Sequence, residues 1–102
     1  MLVSKIIILK EVFMDLIDAI ILNDVNLAKK LIENGANLNY SDDNYLSTPL
    51  HFAAQYNRFE ILKLLVTAGA DITVKNKDGQ SPFDIALLFE HRKIVKFLKE
   101  KE

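Results

Sequence analysis

The sequence of this chain repeats itself at intervals of 33 to 34 residues. At an offset of 33, Thr48-Pro49-Leu50 aligns with Ser81-Pro82-Phe83. At an offset of 34, Gly35-Ala36-Asn37-Leu38 aligns with Gly69-Ala70-Asp71-Ile72. A fixed period of this length predicts stacked supersecondary units, because each unit is too small to bury its own apolar face. The extra residue of the first period falls in the polar stretch 41–47, where a loop absorbs insertions at little cost.

The length, cysteine content and charge of the chain restrict its possible functions. The chain has 102 residues, 13 basic and 14 acidic side chains and no cysteine. One small domain fits that length, and the missing cysteines exclude disulfides, thiolate metal ligands and a cysteine nucleophile. The pI near 6.1 argues against a nucleic-acid partner, since no net positive field would favour binding to phosphates.

The N-terminal region offers no membrane signal. Its apolar run Ile6–Leu9 is followed at once by Lys10 and Glu11. A signal peptide needs an apolar stretch of about 7–15 residues, and a membrane-spanning helix needs about 20. We therefore expect no membrane partner and a cytoplasmic or otherwise intracellular protein.

Local signals within one period predict helix, tight turn, helix and extended loop. Pro49 suits the first turn of a helix, and Thr48 before it can act as the cap. A second helix over about 60–67 repeats apolar residues at helical spacing, and Gly69 is its stop signal. The residues expected to face the core from this helix are Ile61, Leu64, Leu65 and Ala68.

The central period closely resembles the ankyrin repeat. Its residues 48–54 read Thr-Pro-Leu-His-Phe-Ala-Ala, and residues 68–72 read Ala-Gly-Ala-Asp-Ile. The resemblance implies an all-α, ankyrin-type solenoid of stacked helix-turn-helix units with hairpin-like loops. Its repeats would cover 14–47, 48–80 and a truncated 81–102, the outer two being degenerate.

Residues 1–13 lie outside the repeat pattern. We expect this N-terminal extension to pack over the exposed apolar side of the first repeat, a frayed segment being the alternative. Irregular end repeats fit the architecture, because an outer face has no neighbour and must be capped. Asp84, for example, stands where the central repeat has His51.

No constellation of residues predicts catalysis, a metal site or a cofactor. The resemblance implies that His51 holds neighbouring repeats together through backbone hydrogen bonds, and His91 lies in a turn where histidine is common in the family. The carboxylate pair Asp42-Asp43 falls in a loop, which provides no cleft to separate two pKa values. The basic residues of the last helix predict a solvated face, or else contact with an acidic partner.

The resemblance implies that partner proteins bind on a concave face made by the loop tips and the exposed side of each first helix. At these positions the sequence carries more apolar residues than a solvated face needs. The candidate partner-binding residues are Ile21, Leu22, Asp43, Asn44, Tyr45, Leu46, Gln55, Tyr56, Lys77, Asp78, Gln80, Leu88 and Phe89.

Three of these residues, Leu22, Tyr56 and Phe89, recur at the repeat spacing and predict one exposed apolar stripe. The competing interpretation is that the end repeats tuck their apolar residues inward. The leading hypothesis is a non-catalytic protein-interaction module with an unidentified partner protein. The alternatives are a structural unit that forms a homodimer through the stripe, or a host-directed effector or regulatory subunit of bacterial or viral origin.

Overall fold

A computed structural model describes residues 15–102 and contains three helix pairs in that range. The helices are α1 (Leu16–Leu22), α2 (Val25–Glu33), α3 (Pro49–Gln55), α4 (Phe59–Thr67), α5 (Pro82–Leu88) and α6 (Arg92–Lys101). No strand occurs in the part described, so the predicted all-α stack of helix pairs is confirmed. The expectation for residues 1–13 lies outside the described residues.

Short polar side chains fix where the first helix of each pair begins. Asp15 caps α1 by accepting a hydrogen bond from the Asp18 backbone N–H, and Asp18 accepts one in return from the Asp15 N–H. Ser81 and Asp84 make the same reciprocal arrangement at α5. Such capping boxes satisfy backbone donors that a helix end leaves without partners.

Left-handed residues follow the first five helices and turn the chain into the next element. Between the helices of each pair, Asn23, Asn57 and Glu90 have φ of 56°, 59° and 59°. After α2 and α4, Gly35 and Gly69 have φ of 88° and 102°, which confirms the stop signal predicted at Gly69 and shows the same ending at Gly35.

The helices stack in two rows, which we call the inner row (α1, α3, α5) and the outer row (α2, α4, α6). Neighbouring helices of the inner row contact each other more extensively than those of the outer row. This closer packing within the inner row is the arrangement expected of a stack that curves towards that row, as the resemblance to ankyrin repeats implies.

The core runs between the two rows. Ile61, Leu62 and Leu65 of α4 are completely buried, as are Ala53 and Ala54 of α3. The predicted core face of α4 was wrong at two positions: Leu64 is half-buried and Ala68 is exposed. Leu62, which the helical spacing did not select, is buried instead. The reason is that α4 contacts both outer-row neighbours as well as α3, and therefore buries a wider face than a single apolar stripe.

Two related loops project between the helix pairs. In the first loop, Asp42 Oδ1 accepts hydrogen bonds from the backbone N–H groups of Tyr45 and Ser47, each at 3.0 Å. In the second, Asn76 Oδ1 accepts from Asp78 and Gln80 in the same manner. One side-chain oxygen therefore organises each loop, at equivalent positions of the two repeats.

Candidate protein-binding surface

His51 links α3 to the loop at the end of the same repeat. Its Nδ1 accepts a hydrogen bond from the Thr48 backbone N–H (3.1 Å), so its Nε2 carries the proton and donates it to the Gln80 carbonyl (2.8 Å). The imidazole is 2% exposed, and burial lowers its pKa below the usual 6.5. The Gln80 hydrogen bond and the charge of Asp42 oppose part of that shift. This confirms a structural role for His51 through backbone hydrogen bonds, but both partners belong to the central repeat 48–80 and not to a neighbouring repeat.

Arg58 and His91 provide a second type of link at equivalent positions. The guanidinium of Arg58 donates from Nε to the Ile20 carbonyl (2.9 Å) and from Nη2 to the Ile21 carbonyl (2.7 Å). His91 donates from Nδ1 to the Ala54 carbonyl (2.7 Å). Each side chain thus supplies donors to carbonyls at the C-terminal end of the preceding inner helix, where intrahelical partners run out.

A groove lies between the two loops and the C-terminal parts of α3 and α5. Its volume is about 510 Å³, and more of its surface is apolar than polar. Half-buried Phe52 and buried Ile85 contribute apolar surface to the groove. Exposed Leu88 and Phe89, at the C-terminal end of α5, also line it. The remaining lining residues come from the loops and α3: Asp42, Tyr45, Ser47, Gln55, Asn76, Asp78 and Gln80.

The apolar stripe does not tuck inward. Leu88 is 63% exposed and Leu22 is 58% exposed, whereas Tyr56 and Phe89 keep 39% and 47% of their surfaces in solvent. The ring of Phe89 stacks on the imidazole of His91, with 6.0 Å between the ring centroids. Phe89 is thereby held in place by the same histidine that joins two repeats.

The structure brings six of the thirteen candidate residues to the groove. They are Tyr45, Gln55, Asp78, Gln80, Leu88 and Phe89. The other seven lie outside its lining: Ile21, Leu22, Asp43, Asn44, Leu46, Tyr56 and Lys77. The two loops are also joined directly, because the Lys77 backbone N–H donates a hydrogen bond to the Tyr45 carbonyl at 2.7 Å.

Sequence reasoning missed several groove residues, and one signal could have found two of them. Phe52 and Ile85 are 33 residues apart and each precedes a small residue of the inner helix. Asp42 and Asn76 were missed because their role depends on a folded loop. At the loop tip, Leu46 adopts φ of 57° where the second loop has Gly79, so an exposed leucine occupies a position that favours glycine.

Two further kinds of feature, a metal-binding cluster and a membrane-spanning helix, are absent from the described part of the chain. Among them, no group of three or more histidine, cysteine or acidic side chains could hold a metal ion. Between residues 15 and 102, no helix has the length and apolar character needed to cross a membrane.

Comparison with known proteins gives these observations a common explanation. A family model for ankyrin repeats, in three copies, matches residues 16–102. The chain is 41% identical to human 2-5A-dependent ribonuclease over 73 residues, which is 72% of this chain and 10% of that protein. It is 34% identical to cyclin-dependent kinase inhibitor 2A of Monodelphis domestica over 82% of this chain and 49% of that protein.

A bacterial protein is also similar. The chain is 36% identical to an ankyrin repeat protein of Rickettsia bellii, over 69% of this chain and 41% of that protein. The chain spans at most about half of these three relatives, and only a tenth of the ribonuclease. Ankyrin repeats in general mediate protein–protein interaction and are not catalytic themselves. With the motif, the helix pairs and the family match in agreement, this chain belongs to the ankyrin-repeat family.

Proposed function

We propose that this chain binds a partner protein on its concave inner surface, with the groove between the loops and α5 at the centre of the contact. The observation that carries the proposal is the cluster of exposed apolar side chains at one place, led by Tyr45, Leu88 and Phe89. Exposed apolar patches that include aromatic residues are typical of interface centres. The seven candidate residues outside the groove would form the rim.

The strained Leu46 supports this assignment. An exposed leucine in a left-handed conformation costs on the order of 1–3 kcal/mol, and such outliers concentrate at functional sites. Its side chain lies at the loop tip next to Tyr45, where a docked partner would cover it. A host-directed effector or regulatory subunit of bacterial or viral origin is a narrower version of the same function.

Two neighbouring leucines allow a matched test. Leu88 and Leu87 both belong to α5 and are both at least half exposed, but only Leu88 lines the groove. With a partner captured from cell extract and then purified, Leu88→Ser should weaken binding at least tenfold, about 1.4 kcal/mol. Leu87→Ser should leave binding unchanged. Isothermal titration calorimetry of both variants gives the comparison.

Equal effects of the two substitutions, or a loss confined to Leu87→Ser, would place the contact elsewhere. Self-association through the stripe is the second candidate, because the same exposed residues could close a homodimer. Sedimentation over a range of protein concentrations distinguishes it. A dimer that Leu88→Ser dissociates would favour self-association over a separate partner.

A further inference from the structure

Charge is divided between the two faces of the described stack. The inner row with its two loops, 34–48 and 68–81, carries six carboxylates and two lysines. The outer row carries eight basic residues and three glutamates. The inner row with its loops therefore has a formal charge of −4 (two lysines against six carboxylates), although the whole chain has a formal charge of only −1.

The groove shows the same bias at close range. Its lining contains the carboxylates of Asp42 and Asp78 and no lysine or arginine. Asp42 uses Oδ1 for the loop hydrogen bonds. The two carboxylates come from different loops, next to the apolar side chains of Phe52, Leu88 and Phe89. A ligand that fills this groove must satisfy both apolar surface and negative charge.

A second copy of the chain fits these requirements poorly. Two inner surfaces placed face to face would bring like charges together, which disfavours association. The outer row has the complementary charge, but none of the large apolar residues exposed in residues 15–102 lies on α2, α4 or α6. Its apolar residues Ile94 and Leu98, for example, are buried in the core.

We propose that the partner presents a cationic amphipathic segment, in which lysine or arginine alternates with large apolar residues. Its apolar side chains would cover Leu88 and Phe89, and its cations would lie near Asp42 and Asp78. This inference rests on the proposed function, because it specifies the chemistry of the partner at the same surface. Complementary charge raises the rate of encounter and rejects segments of the wrong sign.

Three synthetic peptides test the inference directly. One repeats leucine and lysine, the second has glutamate for every lysine, and the third has serine for every leucine. Fluorescence anisotropy at low and at physiological salt gives the affinity of each labelled peptide. We expect the leucine–lysine peptide to bind at least about tenfold tighter than either counterpart, with the preference over the acidic peptide decreasing as salt screens it.

Charge-removing variants locate the contact. Asp42→Asn with Asp78→Asn removes both groove charges, and the first change keeps an amide oxygen for the loop hydrogen bonds, as Asn76 does in the next repeat. The matched control is Glu33→Gln with Glu100→Gln, which removes two exposed charges from the outer row. The groove variant should bind the leucine–lysine peptide roughly three- to tenfold more weakly at low salt, and the control should bind it normally.

Each other result overturns the inference in a distinguishable manner. Equal binding of the acidic and basic peptides, weakened by Leu88→Ser in both cases, would retain the apolar site and reject the charge preference. Failure of the leucine–lysine peptide to bind, or weaker binding only in the outer-row control, would reject the inference itself. The proposed function would be contradicted by a different result: a purified partner that binds the Leu88→Ser variant as tightly as it binds the parent chain.

Discussion

Glu90 occupies a backbone conformation that its side chain does not favour. Its φ of 59° matches those of Asn23 and Asn57 at the equivalent turns, and asparagine enters the left-handed region more readily than glutamate. Glu90→Asn should therefore raise the free energy of unfolding by about 1 kcal/mol. Urea unfolding measures it, with the reverse change Asn57→Glu expected to lower stability similarly. A lower stability for Glu90→Asn would contradict this explanation.

His51 makes stability depend on pH. Because its pKa is lower in the folded state, the unfolded chain takes up a proton first as the pH falls through about 6.5. The His51 contribution is present above that pH and is lost as the pH decreases towards the folded-state pKa. We expect the free energy of unfolding to fall as the pH is lowered through about 6.5.

A His51→Asn variant isolates this effect, since it removes the titrating group. Its stability should be lower at neutral pH and should change less over the same range than that of the parent chain. Chemical unfolding at several pH values compares the two. Parallel pH profiles would show that other groups cause the dependence.

The role of a single residue could be predicted from the sequence where that residue belongs to a recognisable motif. His51 could be assigned because it follows Thr-Pro-Leu in the motif, and its hydrogen bonds agree. The cross-repeat bond of Arg58 was not foreseen. The arginine reaches carbonyls 37 and 38 residues earlier in the chain, and only the stacked geometry brings them close.

At the scale of one helix, two adjacent leucines of α4 differ in burial. Leu65 is completely buried, whereas adjacent Leu64 is half-buried. Leu65→Ala should cost about 2–5 kcal/mol, because it removes buried apolar surface and leaves a cavity. Leu64→Ala makes the same chemical change and should cost clearly less. Thermal unfolding by circular dichroism compares them, and equal losses would contradict the assigned core face.

Helix ends were easier to predict than helix faces. Pro49 and Gly69 act through their own backbone preferences, so their effects can be read without knowing the fold. The face that α4 buries depends instead on which helices surround it. The predicted face included Leu64 and missed Leu62, since Leu62 is buried by neighbours that the sequence of α4 alone does not specify.

At the scale of the whole molecule, stability should pass from repeat to repeat through links such as Arg58. Arg58→Met keeps much of the apolar stem and removes two hydrogen bonds to the end of α1. The expected loss is about 1–3 kcal/mol. Hydrogen exchange should accelerate most in α1 and α2, because each repeat contacts only its neighbours. Uniform acceleration across all helices would indicate that the stack unfolds as one unit.

The surface that these repeats create could be predicted only in part. Repeat spacing correctly indicated that residues such as Leu22 and Leu88 are exposed. It did not indicate the groove, because the groove depends on the approach of two loops to α5. The division of charge between the rows also became visible only after each helix had been assigned to a row.

The most direct test of the central claim is nuclear magnetic resonance of the labelled chain as the leucine–lysine peptide is added. We predict that the backbone amide signals that move most belong to Tyr45, Asp78, Leu88 and Phe89 on the inner surface. The signals of α2, α4 and α6 should change little. Movements concentrated on the outer row, with the groove residues unaffected, would contradict the assignment of the concave inner surface as the binding site.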